Sequence, residues 1–429
     1  MNKNYNRNNQ LFRRNISLAQ VGNQNFGRLQ VRCVTRGFTP IENAVVQIST
    51  TAQPDNIIEE FTSNVSGLTE EIALPAPAVD YSLDPEATNQ PYSEYIVKVS
   101  APNLLPVTVA NVEIFPNVTA LQDTVLYTEG TQDTGNVFVI PPHTLYGDYP
   151  PKIDEPEIKP PSETGAIVLD KVVIPEFIVV HDGPPSDSGA KNYYVRFRDY
   201  IKNVASSEIY STWPESTIQA NILAIISFTL NRVFTEWYRS KGYNFTITSS
   251  TAFDHKWIEG RNIYANIGLA VDELFTNYLS RPNVIQPILT QYCDGKKVQC
   301  PNWMTQWGSK DLGDRGFSAI QILRNFYGSS IYLNTANEVA GVPVSWPGAS
   351  LQMGSSGAAV RTIQEQLNRI ADAYSLIPKQ AVDERYGDKT SDAVKTFQQI
   401  FNLPQTGVVD LKTWYKISGI YVAVTRIGE

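Results

Sequence analysis

Apolar side chains near the C-terminus recur at the spacing of an amphipathic α-helix, three or four residues apart. The first stripe holds Val360, Ile363, Leu367 and Ile370, and the second holds Ala393, Val394, Phe397, Ile400 and Phe401. Thr390 or Ser391 is placed to cap the second helix. Both stripes contain the pattern Val-x-Thr-x-Gln or its close variant, which indicates two similar halves. We therefore predict a small all-α module over residues 346–429.

Towards the other end of the chain, the apolar positions alternate or lie in β-branched runs. Residues 28–34, 44–48, 95–100, 107–115 and 121–127 are such runs, separated by Pro, Asn and Gly. Short strands with few helix signals are typical of an antiparallel sandwich. We predict a β-sandwich over residues 28–127, preceded by a disordered, Asn-rich arm at residues 1–27.

A change of composition follows the predicted sandwich. Seven prolines lie between Pro141 and Pro161, with several acidic residues among them. A stretch of this kind is extended, exposed and open to proteases. We predict a Pro-rich linker at residues 128–166.

Helical and strand-like patterns are mixed over residues 167–345. Helical periodicity covers residues 196–206, 214–239, 263–279 and 318–327, and strand-like runs cover 167–173, 177–180, 245–248 and 288–292. Ser318 and Gly328 are placed to start and stop the last of these helices. The sequence thus predicts a multidomain chain: an N-terminal β-sandwich, a central α+β domain at residues 167–345 and a C-terminal all-α module.

Composition and charge exclude several classes of function. The net charge of −8 argues against a nucleic-acid partner, which usually requires a basic surface. The longest apolar stretch, near residues 220–230, is too short and too polar to span a membrane. The N-terminus lacks the apolar core of a standard secretory signal peptide.

One acidic residue continues an apolar helical stripe. Phe197, Ile201 and Val204 step towards Glu208 at intervals of 4, 3 and 4. A carboxyl on the core-facing side either reaches water at the helix end or lies in a low-dielectric pocket, where its pKa rises. A protonated carboxyl near neutral pH can act as a general acid in glycosidic cleavage. Asp254 and Glu259 are candidates for a second carboxylate, although both fit surface loops.

The chain contains three cysteines, Cys33, Cys293 and Cys300. Cys33 lies in an alternating apolar run and is predicted to be a small buried hydrophobe. Cys293 and Cys300, with His255, could ligate zinc, but their spacing is longer than that of a zinc knuckle. A loop disulfide or two free thiols are the alternatives.

The central domain is rich in Trp and Tyr, which can stack on sugar rings or fill a core. Among these aromatic residues, we assign Tyr292 and Trp307 to substrate binding.

A spaced motif near the C-terminus resembles the peptidoglycan-binding module, a small helical domain that holds bacterial enzymes on cell-wall glycan. The motif runs Leu351-x-x-Gly354-x-x-Gly357-x-x-Val360-x-x-Ile363-Gln364-x-x-Leu367, and continues through Asp383, Tyr386-Gly387, Thr390, Phe397-Gln398, Thr406-Gly407 and Thr413-Trp414. The resemblance implies peptidoglycan as a partner.

Two further segments resemble stage II sporulation protein D, a peptidoglycan lytic transglycosylase. The first is Tyr200-Ile201-x-x-Val204-Ala205-x-x-Glu208-x-x-x-Trp213-Pro214, and the second runs from Met304 through Gln306, Trp307 and Gly308 to Tyr327-Gly328. With the domain order, the chain resembles the clostridial spore cortex-lytic enzymes. The chain has Trp303-Met304-Thr305 where that family often has a His-Gly run, which puts any His-dependent step in doubt.

The resemblance implies that Glu208 is the catalytic acid and that Gln306 and Trp307 belong to the second signature and contact substrate. It implies cleavage of the bond between muramic acid and glucosamine with no required cofactor, although zinc is known in some members of the sporulation family. It also implies a location in the spore cortex or at the coat–cortex boundary. The sandwich and linker would be a pro-region, cut by a germination protease within residues 147–169.

Three other functions stay open on the sequence alone. The chain could be a non-catalytic peptidoglycan-binding protein of the spore, an amidase acting on the stem peptide, or a vegetative autolysin. An amidase would need a metal or cysteine centre, and a structural protein would need neither.

Overall fold

The computed structural model describes residues 25–128, 136–159, 171–336 and 338–425. Residues 1–24 of the predicted disordered arm lie outside the described part. Asn25, Phe26 and Gly27 belong to the first strand, Asn25–Thr35, so the prediction of disorder is wrong for these three residues.

The N-terminal region is built of strands. Their bounds are β1 Asn25–Thr35, β2 Val45–Thr50, β3 Gln53–Thr62, β4 Ile72–Ala76, β5 Ser93–Ser100, β6 Val107–Ile114 and β7 Thr119–Leu126, with one short helix, α1 Asp80–Leu83. A further strand, β8 Val137–Val139, comes after the gap. Two sheets result, with strand orders β4-β1-β7 and β3-β2-β5-β6-β8. Alternate residues such as Leu29, Val31 and Cys33 are fully buried, as the alternating pattern requires. Cys33 is a free, buried thiol, in agreement with its prediction.

The sheet that contains β7 also includes a strand from the central region. Strand β13, Ile263–Tyr264, pairs antiparallel with β7, so that Ile263 lies opposite Leu121 and Tyr264 opposite Ala120. A segment of the central region therefore completes a sheet of the N-terminal region, and the two regions share one hydrophobic core.

Residues 136–159, predicted to be an exposed linker, are packed against the rest of the protein. β8 pairs in parallel with β6. Ile140 and His143 are fully buried, and Lys159 is 3% exposed. The prediction of exposure is wrong for Ile140, His143 and Lys159, whereas Asp148, Pro150 and Pro151 are exposed as predicted. Proline-rich composition favours an extended backbone but does not decide whether that backbone lies in water or along a protein surface. Residues 129–135 and 160–166 of the predicted linker lie outside the described residues.

The central region is mixed α and β, as predicted. Its helices are α2 Phe197–Glu208, α3 Glu215–Phe234, α4 Ala265–Leu274, α5 Gln306–Asp314 and α6 Ala319–Tyr327, with a 3₁₀ turn at Arg239–Lys241. Its other strands are β9 Val173–Ile174, β10 Phe177–His181, β11 Asn192–Arg196, β12 Ile247–Thr248, β14 Asn277–Ser280, β15 Tyr292–Cys293, β16 Met304–Thr305, β17 Tyr332–Thr335 and β18 Glu338–Val339. Helix α6 starts with a capping box between Ser318 and Gln321 and ends at Gly328, which confirms both predicted signals. Helix α5 was not anticipated.

Helix α3 is the central helix of this region, and most of its side chains are buried. By length and composition alone, the stretch Glu215–Lys241 is the one candidate membrane span within the described ranges, and 89% of its apolar window is buried inside the protein. Burial of this kind is typical of a core helix, which passes the same test.

Three helices form the C-terminal region: α7 Ala358–Ile370, α8 Asp388–Ile400 and α9 Leu411–Thr425. The predicted stripes face inwards, and Val360, Ile363 and Phe397 are fully buried. Thr390 lies inside the first turn of α8 rather than at its cap, because the helix already begins at Asp388.

The internal repeat has a structural role. Gln364 on α7 accepts hydrogen bonds from the backbone N–H groups of Asp383 and Glu384, at 3.1 and 3.0 Å. Gln398 on α8 accepts one from Gly407 at 2.9 Å and donates to the Val408 carbonyl at 2.9 Å. Each glutamine thus fixes the loop after its own helix, by satisfying buried backbone groups.

The C-terminal region is joined to both other regions. Tyr374 donates a hydrogen bond to the carbonyl of Phe38 at 2.8 Å. Arg198 on α2 donates to the carbonyl of Tyr415 on α9 at 2.9 Å. These two bonds hold the C-terminal region against the N-terminal region and against α2, the helix that ends at Glu208.

Candidate active site

Glu208 is the last residue of α2, and its side chain is buried. The apolar stripe predicted from the sequence is real, since Phe197, Ile201 and Val204 are 2%, 0% and 0% exposed. Glu208 itself is 4% exposed. The helix ends there because Ile209 adopts an extended conformation. The carboxyl therefore lies at a helix end that is enclosed by protein and not by water.

Two donors hold the carboxyl group of Glu208. The backbone N–H of Lys256 donates to Oε1 at 2.6 Å. The hydroxyl of Tyr292 donates a short hydrogen bond to Oε2. Burial raises the pKa of Glu208, and the Lys152 charge and the two hydrogen bonds oppose that rise without cancelling it. A carboxyl in this state is suited to donate a proton.

Tyr292 remains a hydrogen-bond donor at ordinary pH. Burial, together with the nearby Glu208 charge, raises the pKa of its phenol well above the usual value. Its ring lies parallel to the imidazole of His255, with centroids 5.8 Å apart. Tyr292, which the sequence assigned to substrate, is thus hydrogen-bonded to Glu208, and its contact with substrate stays a prediction.

Gln306 and Trp307, the two residues of the second motif that were assigned to substrate, lie next to the end of α2. Gln306, the first residue of α5, donates a hydrogen bond to the backbone carbonyl of Glu208 at 2.9 Å. Trp307 packs against Trp213 with ring centroids 5.0 Å apart, and against Tyr210 at 6.1 Å. Gln306 and Trp307 are 4% and 9% exposed. Gln306 holds the end of α2, and Trp307 packs on the turn that follows it. Their contact with substrate stays a prediction.

The three residues considered for zinc are used otherwise. Cys293 and Cys300 form a disulfide bond, one of the alternatives left open by the sequence. His255 is fully buried, receives or donates a hydrogen bond at 3.1 Å with the Tyr200 hydroxyl, and packs on Phe228. Within the described ranges no group of three His, Cys, Asp or Glu side chains could hold a metal ion. The zinc interpretation is therefore corrected to a disulfide, because zinc requires free thiolates.

Of the two candidates for a second carboxylate, Asp254 is not on the surface. It is fully buried and accepts hydrogen bonds from Arg232 at 2.7 Å and from the Tyr238 hydroxyl at 2.7 Å. A carboxylate paired in this way organises the core and is not available as a base. Glu259 is exposed, as its predicted loop position requires.

Lys152, from the predicted linker, is the residue near Glu208 that sequence reasoning missed. Its ammonium donates to the carbonyl of Asp254 and lies 5.6 Å from the ring centroid of Tyr292 and 5.1 Å from that of Phe228. Burial lowers the pKa of Lys152 to about 8, against the opposing charges of Glu208 and Asp254. No local pattern could have indicated this position, since the contact joins residues 102 positions apart.

Comparison with known proteins identifies one part of the chain. Residues 356–417 match the family model of the putative peptidoglycan binding domain. No curated protein matches the chain. A peptidoglycan-binding domain at the C-terminus fits a cell-wall-related protein and supports peptidoglycan as a partner.

Among solved structures, the chain is similar to catechol 1,2-dioxygenase from Acinetobacter sp. ADP1 inhibited by bound mercury, at 13% identity and a TM-score of 0.19. That similarity covers 28% of this chain and 60% of the other. A mutant catechol 1,2-dioxygenase of Acinetobacter radioresistens gives 13% identity and a TM-score of 0.17, over 27% and 58% of the two chains. The chain thus spans less than two thirds of the length of either dioxygenase.

Proposed function

We propose that this protein is a peptidoglycan lytic transglycosylase of the spore cortex, with Glu208 as its catalytic acid. The observation that carries the proposal is the buried Glu208 carboxyl. The Lys256 N–H and the Tyr292 hydroxyl hold this carboxyl in place. The same protein contains a peptidoglycan-binding domain at residues 356–417. Burial raises the pKa of this carboxyl, which favours the protonated form that glycosidic cleavage needs.

A single carboxyl can complete this reaction. Glu208 donates its proton to the oxygen between muramic acid and glucosamine, and the bond from the muramic C1 to that oxygen breaks. The resulting carboxylate then accepts the proton of the muramic 6-hydroxyl as its oxygen bonds to C1, which gives a 1,6-anhydro end. A hydrolase would need a second carboxylate. The pairing of Asp254 with Arg232 argues against that role for one of the two candidates, Asp254.

The spore setting and the activation by a protease rest on the resemblance described above. Two described residues of the segment 147–169 lie beside the site: the Lys152 ammonium is 5.6 Å from the ring centroid of Tyr292, and the Ile153 N–H bonds to the Ala252 carbonyl. Glu208 is 4% exposed in this arrangement, which supports the proposal of an inactive precursor.

A non-catalytic peptidoglycan-binding protein is the second candidate, favoured by the family match at residues 356–417. An amidase has less support, because the cysteines that would supply its centre are joined in a disulfide.

The test is product analysis with the full chain, intact and after a cut between residues 147 and 159. Wild type, Glu208→Gln and the exposed-carboxylate control Glu259→Gln would be incubated with decoated spore cortex. We expect anhydro-muramic ends from cut wild type and from Glu259→Gln, and none from Glu208→Gln.

Other outcomes distinguish the alternatives. Reducing muramic ends would indicate hydrolysis and a second carboxylate. Release of free stem peptides would indicate an amidase. Binding to cortex without any cleavage product from the cut chain would support the non-catalytic protein.

A further inference from the structure

We propose that four cations at the junction of strand β1, helix α2 and helix α9 form a binding site for a doubly charged oxyanion of the phosphate or sulfate type. The four are Arg32, Arg198, Lys202 and Lys416, and we call them the cation cluster. The cluster involves the first turns of α2, whereas Glu208 is the last residue of that helix. The site is independent of the proposed function, because anion binding here requires no cleavage of glycan.

Two cations of the cluster come from one face of α2 and share one carboxylate. Arg198 and Lys202 are four residues apart, which makes their side chains neighbours on the helix surface. Both bind Asp272 of α4, the guanidinium of Arg198 at 3.3 Å and the ammonium of Lys202 at 2.7 Å. Asp272 is 3% exposed. Its two carboxylate oxygens are both used, one by each cation.

Helix α9 adds a third cation that has no acidic partner. Arg198 donates to the Tyr415 carbonyl at 2.9 Å, and Lys416 is the next residue along the chain. Gly419 leaves room for this guanidinium, because a Cβ there would lie 2.9 Å from Arg198 Nη2. Within the part of the chain that the structure describes, the Lys416 ammonium has no ion pair or hydrogen bond and lies 5.9 Å from the centroid of the Phe401 ring.

Strand β1 supplies the fourth cation. The guanidinium of Arg32 lies 5.5 Å from the centroid of the same Phe401 ring. Its Nε is 3.6 Å from a carboxylate oxygen of Asp123, whose side chain is 62% exposed. That Nε is buried and has no hydrogen-bond partner among the described residues. Arg32 and Lys416 therefore lie beside one aromatic ring, and the acid near Arg32 is largely in water.

The charges at this junction do not balance. The cation cluster carries four positive charges, and the two carboxylates in contact with it, Asp272 and Asp123, carry two negative charges, which leaves a net charge of +2. The side chains of Arg32, Arg198 and Lys202 are 12%, 19% and 11% exposed. Water therefore reaches each of them but screens their repulsion less than it would at an open surface.

The pKa of Lys416 agrees with this crowding of like charges. Burial lowers that pKa to about 7, and the charges of Lys202, Arg32 and Arg198 act in the same direction. An anion bound among the four cations would remove the repulsion between them and favour the charged form of Lys416.

The donors of the cluster favour an oxyanion with two charges. A guanidinium presents paired N–H donors that match the oxygens of phosphate or sulfate, and an ammonium acts as a point charge. Chloride would balance only one of the two excess charges and has no oxygen acceptors. Since Lys416 belongs to the matched peptidoglycan-binding domain and Arg198 to α2, the bound anion would link that domain to the helix that ends at Glu208.

The test is isothermal titration calorimetry of the full chain at pH 7, in a buffer of constant chloride concentration. One arm titrates sodium sulfate, and the other titrates glucose 6-phosphate, whose ester carries about two negative charges at this pH. We expect wild type to bind one sulfate ion in a saturable way. Saturable binding of both probes would support a site for an esterified phosphate, and binding of sulfate alone would support a site for the free ion.

Two variants of α9 separate this site from a general effect of charge. Lys416→Met should weaken sulfate binding by roughly ten-fold or more, because one charged donor is lost. Lys412→Met, four residues earlier, removes a lysine that is already paired with Glu273 at 2.6 Å and should leave sulfate binding unchanged. Arg32→Gln is the second variant if Lys416→Met does not fold by circular dichroism.

Thermal unfolding provides an independent readout. In sulfate-free buffer, Lys416→Met should unfold at a higher temperature than wild type, because it removes a cation that repels the other three and keeps most of the apolar stem. Sulfate should then stabilise wild type more than the variant, since its general stabilising effect acts on both proteins.

Three results would overturn the proposal. The first is the absence of saturable heat up to about 10 mM sulfate. The second is an equal sulfate affinity of wild type and a folded Lys416→Met or Arg32→Gln chain. The third is a lower unfolding temperature of Lys416→Met in sulfate-free buffer, which would show that Lys416 stabilises the fold without an anion.

Discussion

Arg261 and Glu113 form an ion pair of 2.6 Å that joins the central region to strand β6, with side chains 0% and 1% exposed. Arg261 also donates to the carbonyl of Ser206 on α2, two residues before Glu208. The helix that ends in the candidate acid is therefore attached to the N-terminal sheets through one buried guanidinium.

Breaking this pair from one side should destabilise the protein strongly. Arg261→Met leaves a buried carboxylate without its partner, and we expect a loss of about 3–5 kcal/mol in the free energy of unfolding. Glu113→Leu combined with Arg261→Met should recover much of that loss, because Glu113 Oε1 and Arg261 Nε and Nη1 are already buried without partners. Denaturant midpoints of the single and double variants measure this. The exposed pair of Lys296 and Glu86 is the control, and an equal loss on its removal would contradict the argument.

Tyr292→Phe should change the pH dependence of activity in the cut protein. The Tyr292 hydroxyl lowers the pKa of Glu208, so its removal raises that pKa further. Since the acid must be protonated, the alkaline limb of the rate profile should move to higher pH. Tyr327→Phe is the matched control, because its hydroxyl donates to the Gln291 carbonyl and not to Glu208. If the alkaline limbs of the pH–rate profiles shift equally in Tyr292→Phe and Tyr327→Phe, the assigned role of Tyr292 is excluded.

Gln306→Glu should reduce turnover more than substrate affinity. The change removes the donor to the Glu208 carbonyl and places a carboxyl beside it, which shifts the end of α2. Misplacement of a catalytic group by about 1 Å can cost roughly 10²-fold in rate. We expect kcat to fall by up to that factor with a smaller change in KM. Gln299→Glu, in an exposed loop, should leave both constants unaltered. A rise in KM with unchanged kcat in Gln306→Glu would instead point to direct substrate contact by Gln306.

Reduction of the Cys293–Cys300 bond should destabilise the loop next to Tyr292, whereas a chelator should not. The bond closes a sequence separation of 7, for which loop entropy gives roughly 2–3 kcal/mol. Thiol counting under denaturing conditions should give one free thiol before reduction, from Cys33, and three after it. Stoichiometric zinc in the purified protein, or a lower unfolding midpoint in the presence of a chelator, would restore the metal interpretation.

Asp272 should contribute stability that is lost in acid. Burial would raise its pKa, but the charges of Lys202 at 2.7 Å and Arg198 at 3.3 Å outweigh burial and hold that pKa at about 2. A depressed carboxylate pKa stabilises the protein above the unfolded pKa of about 4, by roughly 2–3 kcal/mol, and this is lost as pH falls towards 2.

The variant Asp272→Asn should therefore unfold more easily than wild type at neutral pH, and the difference should shrink between pH 4 and pH 2. Unfolding midpoints across that range provide the measurement, with the exposed Asp199→Asn on α2 as control. A difference that stays constant with pH would show that the carboxylate charge is not the cause.

The sequence alone determined those features that depend on neighbouring residues. The 3.6-residue stripes located α2, α7 and α8, because a helix face needs only local spacing to be read. The repeated glutamines and glycines marked the peptidoglycan-binding domain, later matched at residues 356–417. The same periodicity singled out Glu208 as an acid on an apolar face.

Only the tertiary structure decided what surrounds that acid. The Lys256 N–H, the Tyr292 hydroxyl and Lys152 reach Glu208 from other parts of the chain, the first two over separations of 48 and 84 residues. A polar backbone group can be satisfied equally well by water or by a distant side chain such as Gln291, so composition could not show that the Pro-rich segment is packed. The pairing of Cys293 with Cys300, and the burial of Asp254 beside Arg232, were likewise set by packing between segments that no local pattern connects.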